Sequence, residues 1–202
     1  MPPIDSSLTV LIIWAVVGYL LGSIPSGVLL TRAMGLGNLR DIGSGNIGAT
    51  NVLRTGNKAA AAGTLVLDAA KGAVALLLAR VISGEDAAQV AALSAMLGHC
   101  YPVWLKFNGG KGVATFLGIM MALAWPVGIG CCIVWLFAAA VTRVSSMGGL
   151  AAASASTILL VALGHGYGLL LGIALTILLY VRHRANIHRL REGTEPKIGQ
   201  KG

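Results

Sequence analysis

Seven apolar runs, most of them joined by short glycine- or lysine-containing links, limit what this chain can fold into more than any other feature. They cover about Leu8–Met34, Ala59–Ile82, Ala87–Leu105, Val113–Ala124, Trp125–Val141, Met147–Leu163 and Gly166–Val181. A helix that crosses a bilayer needs roughly 20 mostly apolar residues. In hydrocarbon the backbone polar groups must be paired internally, which favours helices for such runs. Only 11% of the residues are charged and 56% are hydrophobic, against about 25% charged in a soluble domain. So few charges cannot cover a water-facing surface, so lipid is the expected solvent for most of the chain. The expectation is an all-α membrane protein of seven transmembrane helices, some short or Gly/Pro-interrupted, forming one domain over residues 1–202.

The charges between the runs predict an orientation. Arg40, Arg54 and Lys58 follow the first run, Lys106 and Lys111 the third, and Arg143 the fifth. Arg182, Arg184, Arg189, Arg191, Lys197 and Lys201 follow the seventh. The alternate links hold Glu85 and Asp86, then almost nothing, then Gly164 and His165. Cations gather on the cytoplasmic side of a membrane, so this alternation predicts an outside N-terminus and a cytoplasmic C-terminus. The net charge of +8 follows from the same rule and leaves room for an anionic substrate. It does not suggest nucleic acid, since no aromatic residues interleave the basic ones. Asp5 and the lack of a basic leader make the first run a retained helix rather than a cleaved signal peptide. Cys100, Cys131 and Cys132 form neither a disulfide framework nor a metal-ligand spacing.

Polar residues concentrate in a few places. The stretch Arg40-Asp41-Ile42-Gly43-Ser44-Gly45-Asn46-Ile47-Gly48-Ala49-Thr50-Asn51 is the densest. Its glycines permit a concave backbone whose successive N–H groups form an anion nest. Ser44, Asn46, Thr50 and Asn51 add side-chain donors, and Arg40 and Arg54 flank them; a plain inter-helix loop needs none of these. No Gly-Lys-Ser/Thr follows, so ATP hydrolysis is not indicated. Gly109-Gly110-Lys111-Gly112 puts a lysine at the start of a helix, which is an anion site or a snorkelling interfacial cation. Asp68 and Lys71 share a helix face within an apolar run, either as a packing ion pair or as part of a site. In Gly22-Ser23-Ile24-Pro25-Ser26-Gly27 the proline frees backbone groups that Ser23 and Ser26 can satisfy, unless those hydroxyls face a site. In the basic tail, His183 and Asn186 would share a face if helical, and a histidine is the usual acid–base group near neutral pH. The tail as a whole also suits anionic lipid headgroups. There is no Gly-x-Ser-x-Gly elbow, no His-x4-Asp pair and no acidic cluster for magnesium.

These motifs occur in an order that resembles the bacterial acyl-phosphate-dependent glycerol-3-phosphate acyltransferases, a family of small integral membrane enzymes. The resemblance rests on Gly22–Gly27, Gly43–Asn51, Asp68-x-x-Lys71-Gly72, Gly98-His99 through Gly109–Thr115, and the His183/Asn186 tail. It implies transfer of a fatty acyl group from acyl phosphate to the 1-hydroxyl of glycerol 3-phosphate. The products would be 1-acylglycerol 3-phosphate (lysophosphatidic acid) and phosphate, in phospholipid biosynthesis at the inner membrane, with the site toward the cytoplasm. No cofactor, metal or obligate protein partner is implied. The residues expected to act in catalysis are Asn46, Thr50, Asn51, Lys111, His183 and Asn186. Those expected to bind substrate are Ser23, Ser26, Arg40, Gly43, Ser44, Gly45, Asn46, Gly48, Ala49, Thr50, Asn51, Lys111 and Asn186. Within that set the Gly43–Asn51 loop would cradle the donor phosphate, and Arg40, Lys111 and Asn186 would hold glycerol 3-phosphate. The departing phosphate is one candidate proton acceptor, with His99 or His183 as the other. A transporter of organic phosphates would also need cations beside broken helices, but it makes no covalent product. A lipid-binding scaffold would not need so many donors in two loops.

Overall fold

The computed structural model describes residues 2–199, so Lys201 of the basic tail lies outside the described residues. No β-strand occurs among them, and ten α-helices follow one another. The first run is split into α1 (Leu8–Gly22) and α2 (Ser26–Ala33). Ser7 caps α1 by accepting from the Val10 N–H, and Pro25, which has no N–H to donate, sits at the break. A short turn, α3 (Ala49–Val52), lies in the polar loop. Helix α4 (Lys58–Ser83) starts on Asn57, whose Oδ1 accepts from Ala60 N at 2.9 Å. It ends at Gly84, whose φ of 101° suits glycine, and α5 (Glu85–Cys100) turns straight back. That helix stops five residues short of the expected Leu105, because Pro102 bars its continuation.

The rest of the described chain holds five helices, with a bend before the last. Helices α6 (Val113–Leu123) and α7 (Trp125–Thr142) are joined only by the extended residue Ala124. Helices α8 (Ser145–Ala162) and α9 (Leu169–Arg182) follow, and α10 (Arg184–Arg191) departs at 62° from α9. All seven apolar runs are thus helical, but they are not equal. Leu8–Ala33, Trp125–Thr142 and Ser145–Ala162 are long and apolar enough to cross a membrane, and α9 with α10 adds a fourth if taken as one bent span. Helix α4, at 26 residues, is about 39 Å long but carries Asp68 and Lys71 within it. Helix α6, with 11 residues, is only about 16 Å long.

Packing is inverted relative to a soluble bundle. Small residues fill the interior: Ala75, Ala79, Ala87, Ala88, Ala91, Ala92 and Ala95 are fully buried. Large ones such as Val66, Val81, Ile133, Phe137, Ile158 and Ile177 face outward, as lipid-facing residues do. The α1–α5 contact runs backbone against backbone. A Cβ at Gly18, Gly22 or Gly98 would collide with the main chain of Ala91, Ala95 or Tyr19. Gly118 meets Ala69 in the same way where α6 crosses α4.

The two ends of the bundle differ. At one, Arg80 pairs with Glu85 at 2.7 Å and donates to the carbonyls of Ala122 and Leu123, capping α6. Asp86 there accepts from the backbone N–H groups of Asp5 and Ser6. The polar loop, the Gly109–Gly112 segment, Arg143 and α10 lie at the other end. The α1–α5 seam predicts that Gly98→Val destabilises the protein by about 1–3 kcal/mol or more, read from unfolding in mixed SDS micelles. Gly166→Ala, where an added Cβ meets nothing, should leave that transition unchanged.

Candidate active site

A cavity of about 870 Å³ opens at the cationic end of the bundle. One side is the polar loop, contributing Gly43, Ser44, Asn46, Gly48, Ala49, Thr50, Asn51 and Arg54. Opposite lie Lys111 with the first turn of α6, and His183, Asn186 and Arg189 around the α9–α10 bend. Beyond them the cavity runs between Leu65 of α4, Leu117 of α6 and Cys132, Trp135 and Leu136 of α7. It is therefore polar at one end and apolar at the other. A smaller hollow of about 370 Å³ between α2 and residues 35–39 contains none of the expected site residues.

The polar loop is organised from within by Asn51, which is almost fully buried. Its Nδ2 donates to the carbonyls of Leu39 and Asn46 at 3.0 and 2.7 Å. Its Oδ1 accepts from the Ser44 N–H at 3.2 Å and from Arg54 Nη1 at 3.4 Å. Gly43, at a φ of 51°, lies so close to the Arg54 side chain that a Cβ would displace it. Asn46 Oδ1 accepts from the Ile47 N–H at 2.9 Å, and its own amide nitrogen makes no hydrogen bond among the described residues. Thr50 is exposed on the cavity wall.

The lysine segment is held from below. The N–H groups of Gly109 and Gly110 donate to the carbonyls of Cys100 and His99, each at 3.1 Å. Arg182, stacked 4.9 Å over the Tyr101 ring, donates to the carbonyls of Gly110 and Gly109. Gly112, at a φ of 84°, turns the chain into α6, whose N-terminal dipole favours anions. Burial, with the neighbouring Arg189, Arg182 and Arg54 and against the pull of Glu195, brings the Lys111 ammonium down to about 8.

At the bend, His183 Nδ1 lies 2.8 Å from the Leu179 carbonyl. A carbonyl only accepts, so Nδ1 carries the proton and Nε2 is left as an acceptor. An added Cβ on Gly149 would sit 3.8 Å from that Nε2. Asn186 Nδ2 donates to Glu195 Oε1, as does Ser146 Oγ at 2.7 Å, while Arg189 Nε reaches Oε2 at 2.7 Å. Burial acts to raise the Glu195 carboxyl, but these hydrogen bonds outweigh it and hold it below its ordinary range.

Ten of the expected residues meet on this cavity: Gly43, Ser44, Asn46, Gly48, Ala49, Thr50, Asn51, Lys111, His183 and Asn186. Four do not line it. Ser23 and Ser26 are buried at the α1–α2 break. Gly45 lies behind the loop beside the Arg40 main chain. Arg40 bridges two loops, donating to the Gly45 carbonyl at 3.0 Å and to the Asn108 carbonyl. The Asp68–Lys71 pair is an ion pair of 2.9 Å, and Asp68 and His99 also reach the cavity wall. Arg54, expected as a flanking cation, lines the cavity too, whereas Glu195, Ser146 and Trp135 line it without having been singled out in the sequence. A lone acid within a basic tail was the one available signal for Glu195.

A sequence model of the glycerol-3-phosphate acyltransferase family matches residues 12–193. The glycerol-3-phosphate acyltransferase of Ruegeria pomeroyi is 68% identical over 201 residues, covering 100% of this chain and 99% of that protein. That of Roseobacter denitrificans is 65% identical, covering 98% and 99%. Two crystal structures of PlsY (YgiH), an integral membrane glycerol 3-phosphate acyltransferase, share the fold. Its glycerol 3-phosphate form superposes with a TM-score of 0.88 at 36% identity, covering 94% of this chain and 96% of that one. Its lysophosphatidic acid form gives 0.85 at 34%, covering 94% and 95%. With these relatives and a cation-lined cavity that runs into an apolar groove, the chain is an integral membrane protein and belongs to the glycerol-3-phosphate acyltransferase family.

Proposed function

We propose that this protein transfers a fatty acyl group from acyl phosphate to the 1-hydroxyl of glycerol 3-phosphate. The observation that carries the reading is the continuity of one cavity from a polar end bearing Arg54, Lys111 and Arg189 to an apolar groove. Both substrates bring a phosphate, and one brings a fatty chain. The polar loop, with its N–H groups and Arg54, suits the donor phosphate. Lys111 and Asn186 suit glycerol 3-phosphate, and Arg40 fixes the loop on which they depend. Leu65, Leu117 and Leu136 suit the first methylenes of the chain.

The chemistry follows from the donor. Acyl phosphate is a mixed anhydride, so attack by the glycerol 1-hydroxyl oxygen forms the new ester C–O bond as the carbonyl carbon releases phosphate. The hydroxyl proton passes to the departing phosphate, giving lysophosphatidic acid and inorganic phosphate. The protein contributes positioning and electrostatic stabilisation, and His183 Nε2 accepts a hydrogen bond that orients the hydroxyl. The alternation of basic and non-basic links supports seven crossings of the inner membrane, an outside N-terminus and a site open to the cytoplasm. One domain acts without a cofactor or an obligate protein partner.

Purified protein given palmitoyl phosphate and glycerol 3-phosphate without added metal should release phosphate and lysophosphatidic acid in equal amounts, the lipid identified by mass spectrometry. Palmitoyl-CoA should not replace the donor, and Lys111→Ala should abolish turnover. Phosphate release without an acylated glycerol phosphate would sink the reading.

Lys111 predicts a pH limb. Its ammonium, which the glycerol 3-phosphate dianion needs, is present below about pH 8 and lost above it. Therefore kcat/KM for glycerol 3-phosphate should fall about tenfold per pH unit above that point. Lys111→Arg, charged throughout, should remove that fall whatever its absolute rate. An unchanged slope in the arginine variant would assign the limb to another group.

A further inference from the structure

Arg54, Lys111 and Arg189 line the cavity, but Arg182, the residue before His183 at the end of α9, does not. Its guanidinium is turned to the segment that carries Lys111. Nε donates to the Gly110 carbonyl at 3.1 Å and Nη2 to the Gly109 carbonyl at 3.2 Å. Among the described residues neither carbonyl has another hydrogen-bond partner. The Tyr101 ring lies 4.9 Å from the guanidinium and stacks beneath it. Tyr19 Oη of α1 donates to the Tyr101 carbonyl at 2.8 Å, so the platform under the arginine is itself tied down.

A planar fork that reaches two successive carbonyls fixes the direction of both peptide units as well as their distance. The other faces of those units are taken. Their N–H groups donate to the carbonyls of Cys100 and His99, and a Cβ on Gly109 or Gly110 would overlap the Cys100 and His99 main chain or the His99 ring. Lys111 follows directly. On the other side of the same arginine, one peptide bond away, is His183, the residue from which α10 departs with Asn186. Arg182 therefore joins the two halves of the cationic end, Lys111 on one and His183 with Asn186 on the other, through contacts 72 and 73 residues apart in sequence.

We propose that Arg182 is a positioning residue that holds Lys111 in register with His183 and Asn186, so that one glycerol 3-phosphate meets all three. The inference rests on the acyltransferase reading given above, in which Lys111 and Asn186 hold that substrate. Arg182→Lys keeps the charge but offers a point donor that cannot hold two carbonyls in one plane. Lys111 then keeps its ammonium and loses its fixed place. Binding of a phosphate that depends on that place weakens, and the attacking hydroxyl leaves its near-attack geometry. The acyl donor, assigned to the polar loop and the apolar groove, is held elsewhere.

In nanodiscs Arg182→Lys should raise KM for glycerol 3-phosphate about tenfold, change KM for palmitoyl phosphate by less than about twofold, and lower kcat. Arg184→Gln, which removes an exposed neighbouring charge, should alter none of these. An unchanged KM for glycerol 3-phosphate, or an equal rise for both substrates, overturns the proposal. The route through Lys111 is tested by glycerol 3-phosphate binding to the wild type, Arg182→Lys, Lys111→Ala and the double variant, followed by the 31P signal of the ligand, which reports weak affinities. The double variant should bind no more weakly than Lys111→Ala alone; additive losses would mean that Arg182 acts independently. Should Arg182→Lys fail to fold, Tyr101→Leu removes the ring beneath the guanidinium and leaves its donors in place. That variant should raise KM for glycerol 3-phosphate selectively by a smaller factor, and an unaltered or unselective KM overturns the proposal. Wild-type turnover is measured on the same preparation. Absent turnover, or full binding by Lys111→Ala, overturns the function beneath; a missing Arg182 effect with both intact overturns this inference alone.

Discussion

The Lys71 ammonium, 2.9 Å from both the Asp68 carboxylate and the Ile24 carbonyl, joins the parts of the protein that a lipid solvent would otherwise not allow to meet. Ile24 lies in the break between α1 and α2, where the helical ladder is interrupted by Pro25. Its carbonyl accepts from the Ser26 N–H at 3.1 Å within the break. Lys71 fills its second acceptor position and ties the break to α4, and Asp68 balances the charge that Lys71 brings into the interior. Removing one member of such a buried pair leaves the other uncompensated, at a cost of about 3–5 kcal/mol. The broken first span is therefore conditional on two ionisable residues of α4.

The same pair reaches the active site. Asp68 Oδ1 lies 3.7 Å from His99 Nδ1, and the far edge of that imidazole packs beneath Gly110, where a Cβ would overlap it. His99 and Cys100 also offer the carbonyls on which Gly110 and Gly109 rest. Lys111 is the next residue, so the position of the cation proposed to hold phosphate is set by a chain of contacts running from the α1–α2 break through α4 and α5. Arg182 closes the chain from α9 by donating to the same two glycine carbonyls. Four helices thus fix one short segment, although none of the residues that do so touches the space a phosphate would occupy except at its wall.

Much of this was legible in the sequence, and the parts that were not share a cause. The apolar runs became helices because lipid leaves the backbone little alternative, and the glycine-rich loop with Lys111, His183 and Asn186 converged because short links bring the same ends of neighbouring helices together. Arg40 was read as a phosphate ligand because charge at the edge of an anion nest invites that reading; its guanidinium instead joins Gly45 to Asn108, a contact 68 residues apart that no local pattern encodes. Glu195 was hidden for the same reason, as an acid in a basic tail that folds back onto Ser146, Asn186 and Arg189. Trp135 sits in an apolar run where an aromatic reads as lipid-facing, and only the fold shows that its nitrogen is buried without a partner. The apolar runs do not encode span length, since α6 and the charged α4 are helical without satisfying the simple rule of about 20 apolar residues.

Small residues serve two ends that coincide here. In a membrane bundle they allow backbones to approach, since packing rather than hydrophobic collapse holds the helices together. At Gly18, Gly22, Gly98 and Gly118 that is the whole of their role. At Gly109–Gly110 and Gly148–Gly149 the same close approach does something further. It brings main-chain groups, an imidazole and an indole to within a residue of one another around a cavity that side chains of ordinary size would fill. The reaction needs a polar pocket and a lipid groove with no wall between them, and a helix–helix contact built on paired glycines supplies such an opening without exposing the core to water. In this protein the packing rule of the membrane and the space required by the chemistry are met by the same atoms.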